Sequence, residues 1–219
     1  MPFFEQLVSD TESERREFLD IPILQRALQG DISKAAYSAF LAQAYHHVKH
    51  TVPLLMACGS RLPEHLHWLR RAIGEYIEEE MGHEEWILDD IAACGGDAAA
   101  VRTALPSPAT ELMVAYAYDL IQRRNPVGFF GMVFVLEGTS VQLASHAAEA
   151  IKSKLHLPAD AFRYLNSHGA LDQNHIKFFE TLMNHIESSE DQQSVLHCAR
   201  MFFLLYGNIF RAISASIQL

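Results

Sequence analysis

No segment of this 219-residue chain sustains the apolar and polar alternation of a strand between hairpin turns, and that absence constrains the fold more than any other feature. The chain instead shows runs of helical length, closed by proline, glycine or cap-forming side chains, so an all-α fold is expected. The first helix should cover residues 4–19. Asp20-Ile21-Pro22 then resets the chain, and Gly30 closes a short helical piece. Asp31-Ile32-Ser33 offers caps for a helix to about Ala57, with Pro53 as its expected kink. Leu62-Pro63-Glu64 opens a long helix to about Ala93, closed by Cys94-Gly95-Gly96-Asp97. Further helices are expected over 109–122, 127–153, from Asp160 to about Ser188, and over 191–216. No repeat or low-complexity linker divides them, so the expectation is one domain, residues 1–219, of about seven helices.

A formal net charge of -10 argues against a nucleic-acid partner, which normally needs a basic face. The cysteines, Cys58, Cys94 and Cys198, are far apart and form no C-x-x-C pair, so neither a disulfide framework nor a zinc knuckle is indicated. Met1-Pro2-Phe3-Phe4 runs at once into acidic and polar residues rather than a basic segment and apolar core, and with the reduced cysteines this places the chain in the cytoplasm. The longest apolar run, 127–136, is shorter than the roughly 20 residues of a bilayer span, so no membrane partner is expected. The apolar run Met201 to Tyr206 should pack centrally or in a homodimer contact.

Three segments carry metal-competent residues. His168, Asp172 and His175 stand at i, i+4 and i+7, close to one line along a helix. Their ordinary meaning would be a solvated polar face, since Asn166, Gln173, Asn174 and Lys177 lie beside them. Glu137 ends the apolar run Phe129 to Leu136 and should be buried, where a charge costs several kcal/mol unless a cation compensates it. A salt bridge to Arg163 or Arg211 would be the structural solution. In Glu78-Glu79-Glu80-Met81-Gly82-His83-Glu84-Glu85 the plain reading is an acidic solvated face, yet Glu80 and His83 have the Glu-x-x-His spacing of di-iron carboxylate bundles. Glu79 competes with Glu80, and Tyr76, one turn earlier, is either a structural aromatic or a redox-active residue. Together His83, His168 and His175 with Glu80, Glu137 and Asp172 make three nitrogen and three carboxylate ligands. That set exceeds the needs of one ion and suits two Fe(II), with manganese second.

Glu-x-x-Gly-His on the long third helix, the lone Glu137, and His168-x3-Asp172-x2-His175 together resemble the heme-oxygenase-like di-iron oxidases and oxygenases. Their fold is shared with thiaminase II and pyrroloquinoline-quinone synthase C. The resemblance covers nearly the whole chain, including Tyr45-His46-His47 and Pro53. In many members the first carboxylate lies where this chain has Tyr76; in others it lies at the position of Glu80. The resemblance implies a heme-oxygenase-like helical bundle and reductive activation of O2 at two Fe(II) ions, acting on a small organic substrate with an external reductant. Glu137 would lie between the irons, while Glu80 with His83 and Asp172 with its flanking histidines would fix them. Phe130, Val133 and Phe134 would limit water. A self-sacrificing branch also needs tyrosine and lysine; Tyr37, Tyr45 and Tyr76 are available, but Lys152 and Lys154 lie at the far end of the Glu137 helix. Two other readings stand beside it. One is a metal-independent hydrolase of thiaminase II type, needing a nucleophilic cysteine, or a cofactorless oxidase; the other is a non-enzymatic heme-binding or interaction module.

Overall fold

The computed structural model describes the backbone of residues 1–217 and their side chains except those of 168–175. Every regular element among them is helical. The expected helix over 4–19 is two, α1 (Phe3–Asp10) and α2 (Glu12–Leu19), because the Thr11 hydroxyl donates to the Leu7 carbonyl at 2.7 Å and draws the turn out of register. Helix α3 (Pro22–Leu28) begins on the expected proline.

Helix α4 (Lys34–Val48) starts where the Ser33 hydroxyl accepts from Ala36 N–H at 3.1 Å. It breaks at Lys49-His50 before α5 (Thr51–Arg61). Pro53 was expected to kink the helix at its own position. The break falls earlier because the missing donor and the ring both act on the carbonyl four residues back, that of Lys49, and Pro53 itself sits in the first turn of α5.

The expected helix over 62–93 is likewise two, α6 (His67–Glu80) and α7 (His83–Ala93). Between them Gly82 has φ of +90°, a conformation that glycine alone adopts without strain. After a short α8 (Ala98–Thr103), Ser107 caps α9 (Pro108–Arg123). A 3-10 turn (Pro126–Phe129) leads into α10 (Phe130–Leu155), and a second (Ala159–Phe162) into α11 (Arg163–Asn184). The last helix is α12 (Ser189–Ser216). Among the described residues the surplus over about seven helices thus comes from three breaks, from α8 and from the short α3.

Helix α10 is central, packed most extensively on α11 and then on α12. With its leading turn it forms a 30-residue stretch, Pro126–Leu155, which contains an 18-residue window of mean hydropathy 1.5 and by length and composition alone could cross a membrane. The apolar run that seemed too short is therefore part of a longer one. Much of its surface is used within the fold: Phe130, Gly131, Met132, Val135, Ala144, Ala148 and Ile151 are buried. Two apolar clusters form. One joins α5, α6, α9 and α12 to the first half of α10, around Phe130, Phe179 and Phe202; the other joins α4, α7 and the start of α11 to its second half, around Tyr37, Leu41 and Phe162. Full burial of a side chain such as Phe130 or Phe162 contributes about 1.5–3 kcal/mol.

Candidate functional site

A cavity of about 180 Å3 is bounded by side chains of both clusters. Most of its wall is apolar, but His47, Tyr76, Glu80 and Glu137 reach it, and no lysine or arginine occurs among the described residues that line it. Two carboxylates at a largely apolar cavity form an environment that favours a cation.

Glu80 is the last residue of α6 and His83 the first of α7, so they do not share one continuous helical face as the sequence implied. The turn at Gly82 nevertheless brings them together, with His83 Nδ1 3.0 Å from Glu80 Oε2 and both side chains buried. Glu79 points outward and is exposed. Trp86 stacks on the His83 ring at 4.0 Å, and the Arg163 guanidinium lies 4.9 Å from the centre of Trp86. The imidazole is held on one edge by a carboxylate and on one face by an indole, the kind of support that orients a metal-binding histidine.

Glu137, half-buried on α10, borders the cavity. The arginines considered as its structural partners are engaged elsewhere: Arg163 pairs with Asp89 at 3.5 Å, and Arg211 donates to Asn208 at 3.1 Å. Tyr76 is 2% exposed, borders the cavity and packs on Phe178 at 5.6 Å. Of the expected water-excluding residues, Val133 lines the cavity, whereas Phe130 and Phe134 turn into the core against Phe179. The side chains of His168, Asp172 and His175 lie outside the described residues. Among the described residues no three His, Cys, Asp or Glu side chains form a metal-holding group by themselves.

Two residues that sequence reasoning passed over belong to the architecture of the site. His47, quoted only within Tyr45-His46-His47, is 4% exposed, borders the cavity and meets Tyr206 edge-on at 5.8 Å. Asp90 is fully buried and receives the backbone N–H groups of Arg163 and Tyr164, each at 3.0 Å. It thereby caps from another helix the exposed donors at the start of α11, the helix carrying His168, Asp172 and His175. Burial pushes the Asp90 carboxyl up to about 6, against the downward pull of those two hydrogen bonds. Only its place beside Asp89 was visible in sequence, which does not separate a capping aspartate from a solvated one.

All three cysteines are free and buried, and none lines the cavity. Burial pushes the Cys58 thiol up to about 12 and raises those of Cys94 and Cys198, the opposite of what a thiolate nucleophile needs.

The fold is similar to that of a domain from Shewanella denitrificans described as heme-oxygenase-like and of unknown function, with a TM-score of 0.88 at 25% identity over 99% of this chain and 94% of that one. A TenA homologue from Pseudomonas syringae aligns with a TM-score of 0.80 at 12% identity, covering 99% and 93% of the two chains. Heme oxygenase-1 from Synechocystis, solved with heme, aligns at 0.77 with 10% identity, covering 99% and 94%. These likenesses establish a heme-oxygenase-like fold. No curated protein sequence matches the chain. Residues 38–207 match the family model described as iron-containing redox enzyme, and as that match takes in most of the chain, the protein belongs to that family.

Proposed function

We propose that this protein is a non-heme oxidoreductase that uses iron, as a pair of Fe(II) ions, to activate O2 for oxidation or cleavage of a small organic molecule held in the cavity. The observation that carries this reading is the buried Glu80–His83 pair beside a largely apolar cavity that Glu137 also borders, with no lysine or arginine in its described lining. Glu80, His83, Glu137, His168, Asp172 and His175 would hold the metal, with manganese as the second choice. When bound, iron would supply the electrons and open positions that O2 chemistry requires.

The chain's own contribution is positioning and exclusion. Glu80 and Trp86 fix the His83 ring, so its orientation does not have to be selected when metal binds. Apolar walls at Val133 and Leu136 keep water from the reacting centre. Tyr76, which lines the cavity, would hold or pass a proton there. Electrons would come from an external reductant. The alternative of a metal-independent hydrolase is disfavoured by the three buried, protonated cysteines outside the cavity.

The deciding experiment is Glu137→Ala, examined by iron uptake under anaerobic reconstitution and by the thermal melt of the metal-free protein. Loss of uptake with a melt equal to or above that of wild type is expected, because removing one of several neighbouring carboxylates relieves repulsion when no cation is present. A loss of about 3–5 kcal/mol in the metal-free protein, with iron uptake intact, would instead make Glu137 a structural ion-pair partner.

A further inference from the structure

On the side of α10 away from the cavity the helix borders a second hollow, of about 220 Å3. Val133, Glu137, Ser140 and Ala144 face the first space, and Phe134, Gly138, Val141 and Gln142 face the second. At about 100° per residue the two sets lie on opposite sides of one helix, which is therefore a wall between them.

The second hollow is mostly apolar. Phe4 and Val8 of α1, Phe134 and Val141 of α10, Ile176 of α11 and Phe203 of α12 line it, and all but Phe203 are only half-buried. Phe4 and Phe203 each meet Phe134 edge-on at 6.3 Å, so both faces and edges of aromatic rings are available to a ligand. Gly138 leaves room beside them, since a Cβ there would meet nothing within 4 Å. The Thr139 hydroxyl donates to the Val135 carbonyl at 2.7 Å and has no proton left to offer.

Charge enters at one point. Arg15 of α2, half-buried, lines the hollow together with the exposed Gln142. The acids nearest it on α2 are taken by other arginines, Glu12 by Arg16 at 4.0 Å and Glu14 by Arg200 at 3.2 Å. Among the described residues the Arg15 guanidinium has no ion pair and no hydrogen bond, and no acid lines the hollow. A half-buried guanidinium beside an apolar surface is matched by a carboxylate, which it binds through two parallel hydrogen bonds. One arginine balances one negative charge, so a carboxylate suits it better than a phosphate monoester, which carries about -1.5 to -2. Size limits the rest of the ligand. An apolar cavity on the order of 150 Å3 admits benzene, so this space takes a ring with a short side chain.

We propose that the hollow is a second binding site, separate from the cavity of Glu80 and Glu137, and that its ligand is a small monocarboxylate with an apolar body the size of a single ring. The carboxylate meets Arg15, and the body rests against Phe134, Val141 and Phe203. No nucleophile or metal-competent side chain lines the hollow among the described residues, so the site binds and does not catalyse. It stands whether or not the cavity holds iron.

The test is calorimetric titration of the metal-free, full-length protein with phenylpropionate, and with phenylpropanamide as its neutral counterpart. One equivalent of the acid should bind, at least about tenfold more tightly than the amide, because hydrogen bonds between charged groups add about that factor. Arg15→Gln should abolish the preference and leave the amide unchanged, and Arg15→Lys should restore part of it. Val141→Phe, which fills the space, should weaken both ligands at least about tenfold. Val8→Phe obstructs it independently from α1, and a thermal melt identifies which variants are folded. Binding in the larger cavity would survive these changes, so an affinity for the acid that is unmoved by Arg15→Gln would overturn the proposal. Equal affinity for acid and amide would overturn it as well. No saturable binding to wild type, with an oligomer that dissociates in folded Val8→Phe, would assign the surface to a second copy of the chain instead. Iron uptake is measured separately, and its failure in wild type would remove the functional reading while leaving this site untouched.

Discussion

Glu80 and Asp90 are both buried carboxylates of the α6–α7 hairpin, and they are buried in opposite ways. Glu80 faces a cavity, meets the imidazole of His83, and sits at a backbone break with open space around Gly82. Asp90 faces no cavity, is fully enclosed, and is bound by two backbone N–H groups of another helix. The first arrangement leaves its carboxylate within reach of a ligand in the cavity. The second cannot lose its partners without stranding the start of α11. A buried acid is thus assigned by what it touches and whether a ligand can reach it, rather than by burial itself.

The contrast is broken most directly at Asp90. Asp90→Ala leaves two enclosed donors without an acceptor, and a loss on the order of 3 kcal/mol in urea denaturation is expected, since each stranded group costs about 1–3 kcal/mol. A loss below about 1 kcal/mol would mean that water or a neighbouring group replaces the carboxylate.

A pH series sharpens the same point. The folded-state pKa of Asp90, about 6, lies above its ordinary value of 3.8. Its contribution to stability is therefore fully present below the unfolded value and is lost as pH rises through about 6. Relative to Asp90→Asn, wild type should lose on the order of 1–3 kcal/mol between about pH 4 and pH 6, then run parallel above that range. The groups acting on Asp90 include Asp89 on its own helix and Arg163 on α11; Tyr37 on α4 and Cys94 also feel its charge. Parallel curves through the whole range would show that the two hydrogen bonds fully offset burial.

At the other end of the hairpin the expected effects are smaller on stability and larger on metal binding. Gly82→Ala introduces a Cβ at positive φ with nothing nearby to clash, so the cost is backbone strain alone, about 1–3 kcal/mol. Iron affinity should fall by more than that strain accounts for, because the turn sets the Glu80–His83 distance. Unchanged iron affinity would show that the pair tolerates movement of the joint. Trp86→Leu should be mildest in stability, about 0.5–1 kcal/mol through the lost contact with Arg163. Its signature would be weaker iron binding through a loosened His83 ring, measured by competition with a chelator.

Several of these features were legible in sequence, each for a local reason. Pro22 and Ser33 marked helix starts, because capping is decided within a few residues. The run into Glu137 announced a carboxylate beside a packed core, and the structure places it half-buried at a cavity. Pro53 signalled a disturbed helix, although the break lies one turn earlier, where the proline ring acts. Gly82 was quoted within the Glu-x-x-Gly-His motif and passed over as a joint, because an isolated glycine inside a strong helical pattern reads as tolerated.

The helical class, the acidic and histidine-rich segments and the spacing of Glu80 from His83 follow from the sequence by itself, because helix periodicity and capping depend on neighbours a few positions away. Which acid is structural was decided by tertiary structure alone: Asp90 is assigned by N–H groups some seventy positions further on. The shape of the cavity was decided in the same way. Ala27, Ala36, Ala144 and Ala147 are unremarkable in their own helices, and they line one cavity only because α3, α4 and α10 meet around it. Periodicity specifies which face of a helix turns inward; what that face meets is set by packing between segments distant in the chain.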